Sequence, residues 1–219
     1  MYSHIYKNTL HILSEIPPEV TIVAAVKNRT SEEIAAVIDA GVSVIGHNYI
    51  QEACFARDKL GDIGEWHFIG HLQSKKAKKA IEGFDLIETV DSIRLGSALN
   101  LQAELQGRFM PVLIEVNIGR ECQKNGVWPE DLFHLAESLQ KMPMLKLQGL
   151  MTMGPLSKSS DTRPYFAEAK KLFDNLKQHV HHQSDIRYLS MGMSDTYITA
   201  IEEGANVIRL GTAIFGSRG

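Results

Sequence analysis

The sequence has little cysteine, no long apolar run and no excess of charge of one sign. Two cysteines, Cys54 and Cys122, occur among 219 residues, which excludes a disulfide framework. Neither cysteine lies beside a histidine or a Gly-rich turn that would activate its thiol. We therefore expect each to be a small buried or half-buried residue rather than a nucleophile.

The absence of membrane, export and nucleic-acid signals narrows the class of protein further. No apolar run reaches the roughly 18 residues of a spanning helix, and no charged-then-apolar leader precedes a cleavage site. We therefore expect a cytosolic protein without a membrane partner. A formal net charge of −3, without a basic face, argues against nucleic acid as a partner. The basic run 75–79 indicates a solvated helix face, or alternatively a patch that attracts an anionic ligand.

Strand-like and helix-like segments alternate from residue 20 onwards. Residues 21–26 form an apolar run, as in a strand covered on both faces. Thr30 and Glu33 have the spacing of a capping box and predict a helix that ends at Gly41. Further strands are predicted at 42–45, 66–69, 86–89, 112–117, 147–151, 186–190 and 207–210. The other helices are predicted at 49–60, in the Lys-rich segment after the third strand, and at 92–105, 129–141, 163–179 and 195–203.

Eight strands that alternate with helices over about 200 residues predict a single (β/α)₈ TIM barrel spanning residues 1–219. A doubly wound open sheet shows the same alternation, but eight units favour the closed barrel. The segment before residue 18 predicts an extra N-terminal amphipathic helix. Residues 153–162, which include Gly, Pro and several Ser, are predicted to form the most mobile loop.

Functional residues of such a barrel collect at the C-terminal ends of its strands. Lys27 ends the first strand, where partial desolvation favours the neutral amine that attacks an aldehyde. Its position alone also fits a lysine that simply reaches solvent. Ser194, after the seventh strand, is placed to cap a helix and leave N–H groups for an anion. Gly211 and Thr212, after the eighth, complete the pair of loops that usually binds phosphate in this fold.

Arg209 interrupts the apolar strand 207–210, where an unpaired charge would be expensive. It either forms an ion pair inside the barrel or faces a bound ligand, and its nearness to Gly211 favours the ligand. Asn48 and Tyr49 follow the second strand at the barrel mouth. On their own they would be a helix cap and a packing aromatic.

The histidines do not by themselves indicate catalysis or metal binding. His67 lies within the third strand and His71 at its end, and both are interpreted as core or rim histidines rather than catalytic bases. His179, His181 and His182 indicate a solvated helix end, because no further ligand completes a metal site.

Six segments, most of them at strand ends, carry a resemblance that spans nearly the whole chain. They are residues 23–27 (VAAVK), 46–52 (GHNYIQE), 66–73 (WHFIGHLQ), 149–151 (GLM), 189–195 (LSMGMSD) and 208–216 (IRLGTAIFG). In these segments the sequence resembles the pyridoxal phosphate homeostasis protein family, which consists of alanine-racemase-like barrels without the racemase's second domain.

The resemblance implies that Lys27 holds pyridoxal 5'-phosphate (PLP) as a Schiff base. It implies PLP contacts for five further residues: Asn48 near the ring, Arg209 at the pyridine nitrogen, and Ser194, Gly211 and Thr212 at the phosphate. An arginine that faces the pyridine nitrogen should keep it unprotonated, because two adjacent positive charges repel. The cofactor ring would then be a weaker electron sink.

Three departures from the family pattern affect the surroundings of the lysine rather than the lysine itself. His47 stands where the family usually has Glu, and Val26 stands where Ser commonly precedes the lysine. Residues 27–30 read Lys-Asn-Arg-Thr in place of the more usual Lys-Thr-Lys-Pro. Arg29 is a candidate to offset the changed charge.

Three functions are compatible with these residues. The resemblance implies a non-catalytic PLP carrier or regulator, with PLP-dependent apo-enzymes as candidate partners. A racemase or decarboxylase of the same fold is the second possibility, but racemisation needs acid–base groups on both faces of the substrate carbon. The racemase's second domain, which supplies one of them, is expected to be missing here, and its absence favours a monomer. The third is an aldolase that uses Lys27 on a sugar phosphate.

Overall fold

The computed structural model describes residues 2–61, 63–154, 161–180 and 185–216. Within these residues eight parallel strands close into a barrel, in which neighbours in sequence pair and the last strand pairs with the first. The strands are β1 (Thr21–Ala25), β2 (Val44–His47), β3 (Glu65–Phe68), β4 (Leu86–Val90), β5 (Met110–Val116), β6 (Leu145–Thr152), β7 (Tyr188–Ser190) and β8 (Val207–Leu210). The predicted (β/α)₈ barrel is therefore confirmed.

Helices surround the barrel and connect its strands. They are α1 (Ser3–Glu15), α2 (Ser31–Asp39), α3 (Ile50–Leu60), α4 (Ala77–Gly83), α5 (Ile93–Leu105), α6 (Leu132–Gln140), α7 (Arg163–His179), α8 (Tyr197–Glu202) and α9 (Thr212–Phe215). Short 3₁₀ turns precede α4 and α6. The extra N-terminal helix is present as α1, whose buried face carries Ile5 and Ile12.

Local sequence signals account for where several helices begin and end. The capping box before α2 has both of its bonds, since the Glu33 amide donates to Thr30 Oγ1 and the Thr30 amide donates to Glu33 Oε2. Ser92 caps α5 by accepting a bond from the Leu95 amide. Gly41 follows α2 with φ of +107°, in the left-handed region that glycine adopts without a side-chain penalty.

The core is divided between the two faces of the barrel sheet. A large apolar cluster, which includes Trp66 and Phe68, fills the space between the strands and the helices. Two small clusters of three buried residues each, here called the inner apolar clusters, pack on the alternate face of the strands, inside the barrel. They consist of Val23, Val44 and Val207, and of Leu86, Leu113 and Met151.

Element boundaries differ from the sequence prediction in a few places. β6 is longer than predicted, because it pairs with β5 from Leu145 to Thr152. β7 is shorter and begins at Tyr188. Most of the predicted mobile loop, residues 155–160, lies outside the described residues.

Two further expectations concern surface residues and membrane association. Cys54 and Cys122 are both exposed and unpaired, so the expectation of burial was wrong. All four lysines of the basic run 75–79 are exposed, as a solvated face requires. In the described ranges, none of the helices combines the length and apolar character needed to cross a membrane.

Candidate functional site at the barrel mouth

Lys27 occupies a tight turn directly after β1. The turn is closed by a bond from the Arg29 amide to the Val26 carbonyl at 3.0 Å, which makes Lys27 its second residue. Asn28, its third residue, has φ of +57°, a conformation that asparagine tolerates better than most residues. The Asn28 amide is held by Glu52 Oε2 at 3.1 Å. The half-buried Lys27 is therefore presented at the mouth by a turn that α3 anchors.

Residues after β2 flank the lysine. The Lys27 ammonium lies 5.2 Å from the centre of the Tyr49 ring. Tyr49 is 46 % exposed, so it is not the packing aromatic that its position alone suggested. Tyr49, rather than Asn48, occupies the N-cap position of α3, and its side chain makes no cap bond. Asn48 and Tyr49 also line a cavity of about 320 Å³ together with His71 and Lys76.

Ser194 joins the loops after β7 and β8. Its Oγ accepts bonds from the amides of Gly211 at 3.2 Å and Ala213 at 3.0 Å. The prediction that Ser194 caps the following helix was wrong, because α8 begins only at Tyr197. Instead, Ser194 fixes the two loops against each other, with Thr212 exposed beside them.

The two loops also lie next to β1. A Cβ at Gly211 would sit 3.6 Å from the Ala25 carbonyl oxygen, and β8 pairs with β1 through Leu210 and Ala24. The hydroxyls of Ser194 and Thr212 are donors of the kind that suits a phosphate. The Lys27 amine, the loop pair joined by Ser194, and the side chains of Asn48 and Tyr49 thus follow β1, β7 with β8, and β2, which are consecutive around the closed barrel.

Arg209 lies inside the barrel and is 5 % exposed. Its Nη1 donates to Ser190 Oγ at 2.7 Å and its Nη2 donates to the Thr152 carbonyl at 2.8 Å. Glu88 Oε2 lies 4.0 Å from Nη1. The ion pair of the first interpretation is therefore present, with Glu88 at 4.0 Å. The hydrogen bonds to Ser190 and Thr152 use only two of the five N–H donors of the guanidinium.

Five buried side chains form what we call the polar layer of the barrel: His67, Glu88, Glu115, Ser190 and Arg209. Glu88 is completely buried and accepts bonds from His67 Nδ1 at 2.7 Å and from Ser190 Oγ at 2.6 Å. His67 is therefore a core histidine with a partner, in agreement with the sequence interpretation.

Charges within the polar layer shift each other's protonation. Burial lowers the pKa of His67, but the carboxylates of Glu65 and Glu88 outweigh it and raise that pKa to about 9. Burial raises the pKa of Glu88, but His67 and Arg209 hold it below the ordinary value. Burial lowers the pKa of Arg209. For Glu115, burial and the charge of Asp91 raise the pKa to about 7.

His47 is 1 % exposed and stacks on Trp66, with the ring centres 5.6 Å apart. Within the described part of the chain, neither of its ring nitrogens has a hydrogen-bond partner. Burial lowers its pKa to about 4, so the ring is neutral near pH 7. Arg29 is paired with Glu33 at 3.1 Å and lies over the Phe215 ring, where it ties the β1–α2 connection to α9.

Metal binding finds no support among the described ranges, where no three His, Cys, Asp or Glu side chains are grouped to hold an ion. His71 is a rim histidine, 3.9 Å from Asp91 Oδ2. His179 pairs with Glu137 at 2.9 Å, while His181 and His182 lie outside the described residues.

Sequence reasoning missed part of this site. Glu88 and Glu115 interrupt apolar strands just as Arg209 does, and that signal was available for both. Ser190 carried no such signal, because a serine at a strand end is common.

Comparison with known proteins identifies the family. The family model for the alanine racemase N-terminal domain matches residues 2–219. A pyridoxal phosphate homeostasis protein of Vibrio alginolyticus is 37% identical over 99% of this chain and 98% of its own length. That of Escherichia coli K12 is 38% identical over 92% of this chain and 87% of its own. The chain belongs to the pyridoxal phosphate homeostasis protein family.

Solved structures agree with this assignment. PipY of Synechococcus elongatus PCC7942, solved without PLP, superimposes with a TM-score of 0.91 at 35% identity, over 97% of this chain and 100% of PipY. PipY with PLP bound gives a TM-score of 0.88 at 34% identity, over the same shares of the two chains. An alanine racemase of Clostridium difficile 630 shares the fold, with a TM-score of 0.83 at 15% identity, over 99% of this chain and 57% of the racemase.

Proposed function

We propose that this protein binds pyridoxal 5'-phosphate at the barrel mouth, holds it as a Schiff base on Lys27 and takes part in intracellular PLP homeostasis. The observation that carries the proposal is that Lys27 follows β1, which lies between β8, with the Ser194–Gly211 loop contact, and β2, with Tyr49. PipY, 34% identical over nearly the whole chain, has been solved with PLP bound, and the curated relatives are named for PLP homeostasis.

The ε-amine of Lys27 has the chemistry that attachment needs. Its neutral nitrogen adds to the aldehyde carbon of PLP, a C=N bond forms and the aldehyde oxygen leaves as water. The turn through Asn28 and Glu52 limits the positions of this amine. Asn48 and Tyr49 follow the neighbouring strand β2, and we assign them to contacts with the cofactor ring.

The phosphate is assigned to Ser194, Gly211 and Thr212. Ser194 Oγ holds the two loops at a fixed separation through the amides of Gly211 and Ala213. The two loops are thus arranged before the ligand arrives, which lowers the ordering cost of binding. Thr212 is exposed and accessible to an incoming phosphate.

We assign Arg209 to the pyridine nitrogen and infer a carrier without robust catalysis. A guanidinium stays protonated in proteins, and a fixed positive charge disfavours a second proton on the adjacent nitrogen. The ring then stabilises a carbanion less well, which suits retention of the cofactor better than turnover. The names of the curated relatives, which refer to homeostasis, support the same choice.

The proposal extends to the assembly, location and partners of the protein. The V. alginolyticus relative is matched over 98% of its length and the C. difficile racemase over only 57%, so such relatives have the size of one barrel. We accordingly propose that the protein is a monomer. We also propose that it is cytosolic and passes PLP to apo-enzymes. Light scattering behind a sizing column tests the mass in solution, and a dimer mass would contradict the monomer.

The absorption spectrum with added PLP tests the attachment. The wild-type protein should develop a visible band that borohydride removes by reducing the C=N bond. Lys27→Ala should show no band, whereas the control Lys76→Ala, which removes an exposed lysine of the mouth cavity, should match the wild type. A wild-type protein that develops no band with PLP would overturn the proposal and make a Lys27 aldolase the next function to assay.

Turnover is tested separately on the PLP-loaded protein. Interconversion of D- and L-alanine and release of CO₂ from amino acids should both remain at the level of free PLP. A rate that is clearly above free PLP and abolished by Lys27→Ala would replace the carrier with a racemase or decarboxylase.

A further inference from the structure

The hydrogen bonds that hold Arg209 go to two neutral oxygens rather than to a carboxylate. The Ser190 hydroxyl accepts from Nη1 at 2.7 Å and the Thr152 carbonyl accepts from Nη2 at 2.8 Å. These two acceptors belong to β7 and β6, so the guanidinium is held from two neighbouring strands. Thr152 is itself fixed, because its Oγ1 donates to the Val116 carbonyl at 2.7 Å.

The charge that balances Arg209 is one residue further away. Glu88 lies 4.0 Å from Nη1, and its Oε2 accepts a 2.6 Å bond from the Ser190 hydroxyl. An ionised carboxylate only accepts hydrogen bonds, so the direction of the chain is fixed. Arg209 donates to Ser190, and Ser190 donates to Glu88.

His67 completes the arrangement from the other side. Its Nδ1 lies 2.7 Å from Glu88 Oε1, and it must carry a proton there because the carboxylate cannot donate one. Glu65 lies 3.2 Å from its other ring nitrogen. Both oxygens of Glu88 are therefore occupied, and the carboxylate cannot rotate without breaking a buried hydrogen bond.

We infer that Ser190 and Glu88 are positioning residues that fix the guanidinium of Arg209 for the pyridine nitrogen of the cofactor. This inference rests on the proposed function. A buried charged cluster seldom stabilises a fold more than apolar residues of the same volume. The polar layer lies on strands whose C-terminal ends form the mouth of the barrel. Its fixed geometry is therefore explained better by a ligand at the mouth than by stability.

Two variants test separately the effect of the position of Arg209 and the effect of the charge next to it. Ser190→Ala removes one hydroxyl and no charge, so it frees Nη1 while Glu88 stays ionised. Glu88→Gln keeps the volume and removes the charge. Thr89→Val is the matched control, because Thr89 is the buried neighbour of Glu88 on the same strand and its hydroxyl has no partner among the described residues.

The readouts are PLP affinity and the pH at which the visible band changes. A mobile Arg209 lets the pyridine nitrogen take up a proton, and that positive charge disfavours the protonated form of the lysine–cofactor linkage. In Ser190→Ala and Glu88→Gln the band should therefore persist, with its pH midpoint lower by about one unit and with PLP affinity reduced roughly tenfold. Thr89→Val should match the wild type in both.

The outcomes distinguish failure of the positioning inference from failure of the proposed PLP binding. A folded Ser190→Ala protein whose band, pH midpoint and affinity equal those of the wild type would overturn the inference and leave PLP binding intact. If Glu88→Gln does not fold, Ser190→Ala alone decides, since it removes a single hydroxyl. A wild-type protein without any band would overturn the proposed function, and the inference with it.

Discussion

The inside of the barrel contains two kinds of packing within a few ångströms of each other. The inner apolar clusters contain only Val, Leu and Met side chains, whereas the polar layer contains two carboxylates, a histidine, a serine and an arginine. Leu113 and Glu115 belong to the same strand two residues apart, so alternation directs both to the same face. One strand therefore supplies a residue to each kind of packing.

This difference separates what holds the barrel together from what prepares it to bind. Apolar side chains gain free energy simply by leaving water, so the inner apolar clusters need no ligand to explain them. Burying charge is expensive unless every group is paired, and the polar layer pairs Glu88 with His67 and Ser190. Substitutions in the inner apolar clusters should therefore lower stability alone, whereas substitutions in the polar layer should also change the PLP spectrum.

The largest loss of stability is expected for Glu88→Ala. It removes the fully buried carboxylate from His67 and the nearest carboxylate from Arg209, and breaking a buried pair typically costs about 4 kcal/mol. Urea denaturation at pH 7 measures the free energy of unfolding. A loss of less than about 1 kcal/mol in the free energy of unfolding would mean that the charge pairs of the polar layer add no net stability.

Leu113→Ala should cost somewhat less, about 3 kcal/mol, because it leaves a cavity in an inner apolar cluster. The PLP spectrum of the folded fraction should stay at the wild-type value, unlike that of the polar-layer variants. Denaturation and absorption measured on one preparation test both statements. A shifted spectrum would contradict the separation of the two regions.

Glu115→Gln should change how stability depends on pH. The folded-state pKa of Glu115 is about 7, above its unfolded value, so its contribution is complete at low pH and is lost as the pH rises towards and through 7. From pH 5 to pH 8 the wild type should lose about 2 kcal/mol relative to Glu115→Gln. His67 is common to both proteins and cancels. If the two proteins lose stability in parallel as the pH rises, the pKa of Glu115 is not raised in the folded state.

The smallest effect is expected outside the barrel, at the turn that presents Lys27. Asn28→Val places a β-branched residue at φ of +57° and should cost about 1 kcal/mol. Asn28→Gly, which tolerates that backbone, is the matched control and should cost less. Thermal unfolding of the two variants measures the difference, and equal midpoints would contradict a strained turn.

Much of the fold followed from sequence because its signals are local. The capping box at Thr30 and Glu33 and the helix over Arg163–His179 were predicted as they occur. Ser194 was misassigned as a cap because its partners, Gly211 and Ala213, are distant in sequence. The Ser190–Glu88 bond joins residues 102 positions apart, and no local pattern encodes such a pairing.

The most direct test of the account is to locate the site of PLP attachment. The protein is mixed with PLP, reduced with borohydride, digested and mapped by mass spectrometry. We predict a single major adduct on Lys27, with the exposed lysines of the 75–79 run carrying only background modification. Adducts spread over the surface lysines, or a major adduct elsewhere with Lys27 unmodified, would contradict the central claim.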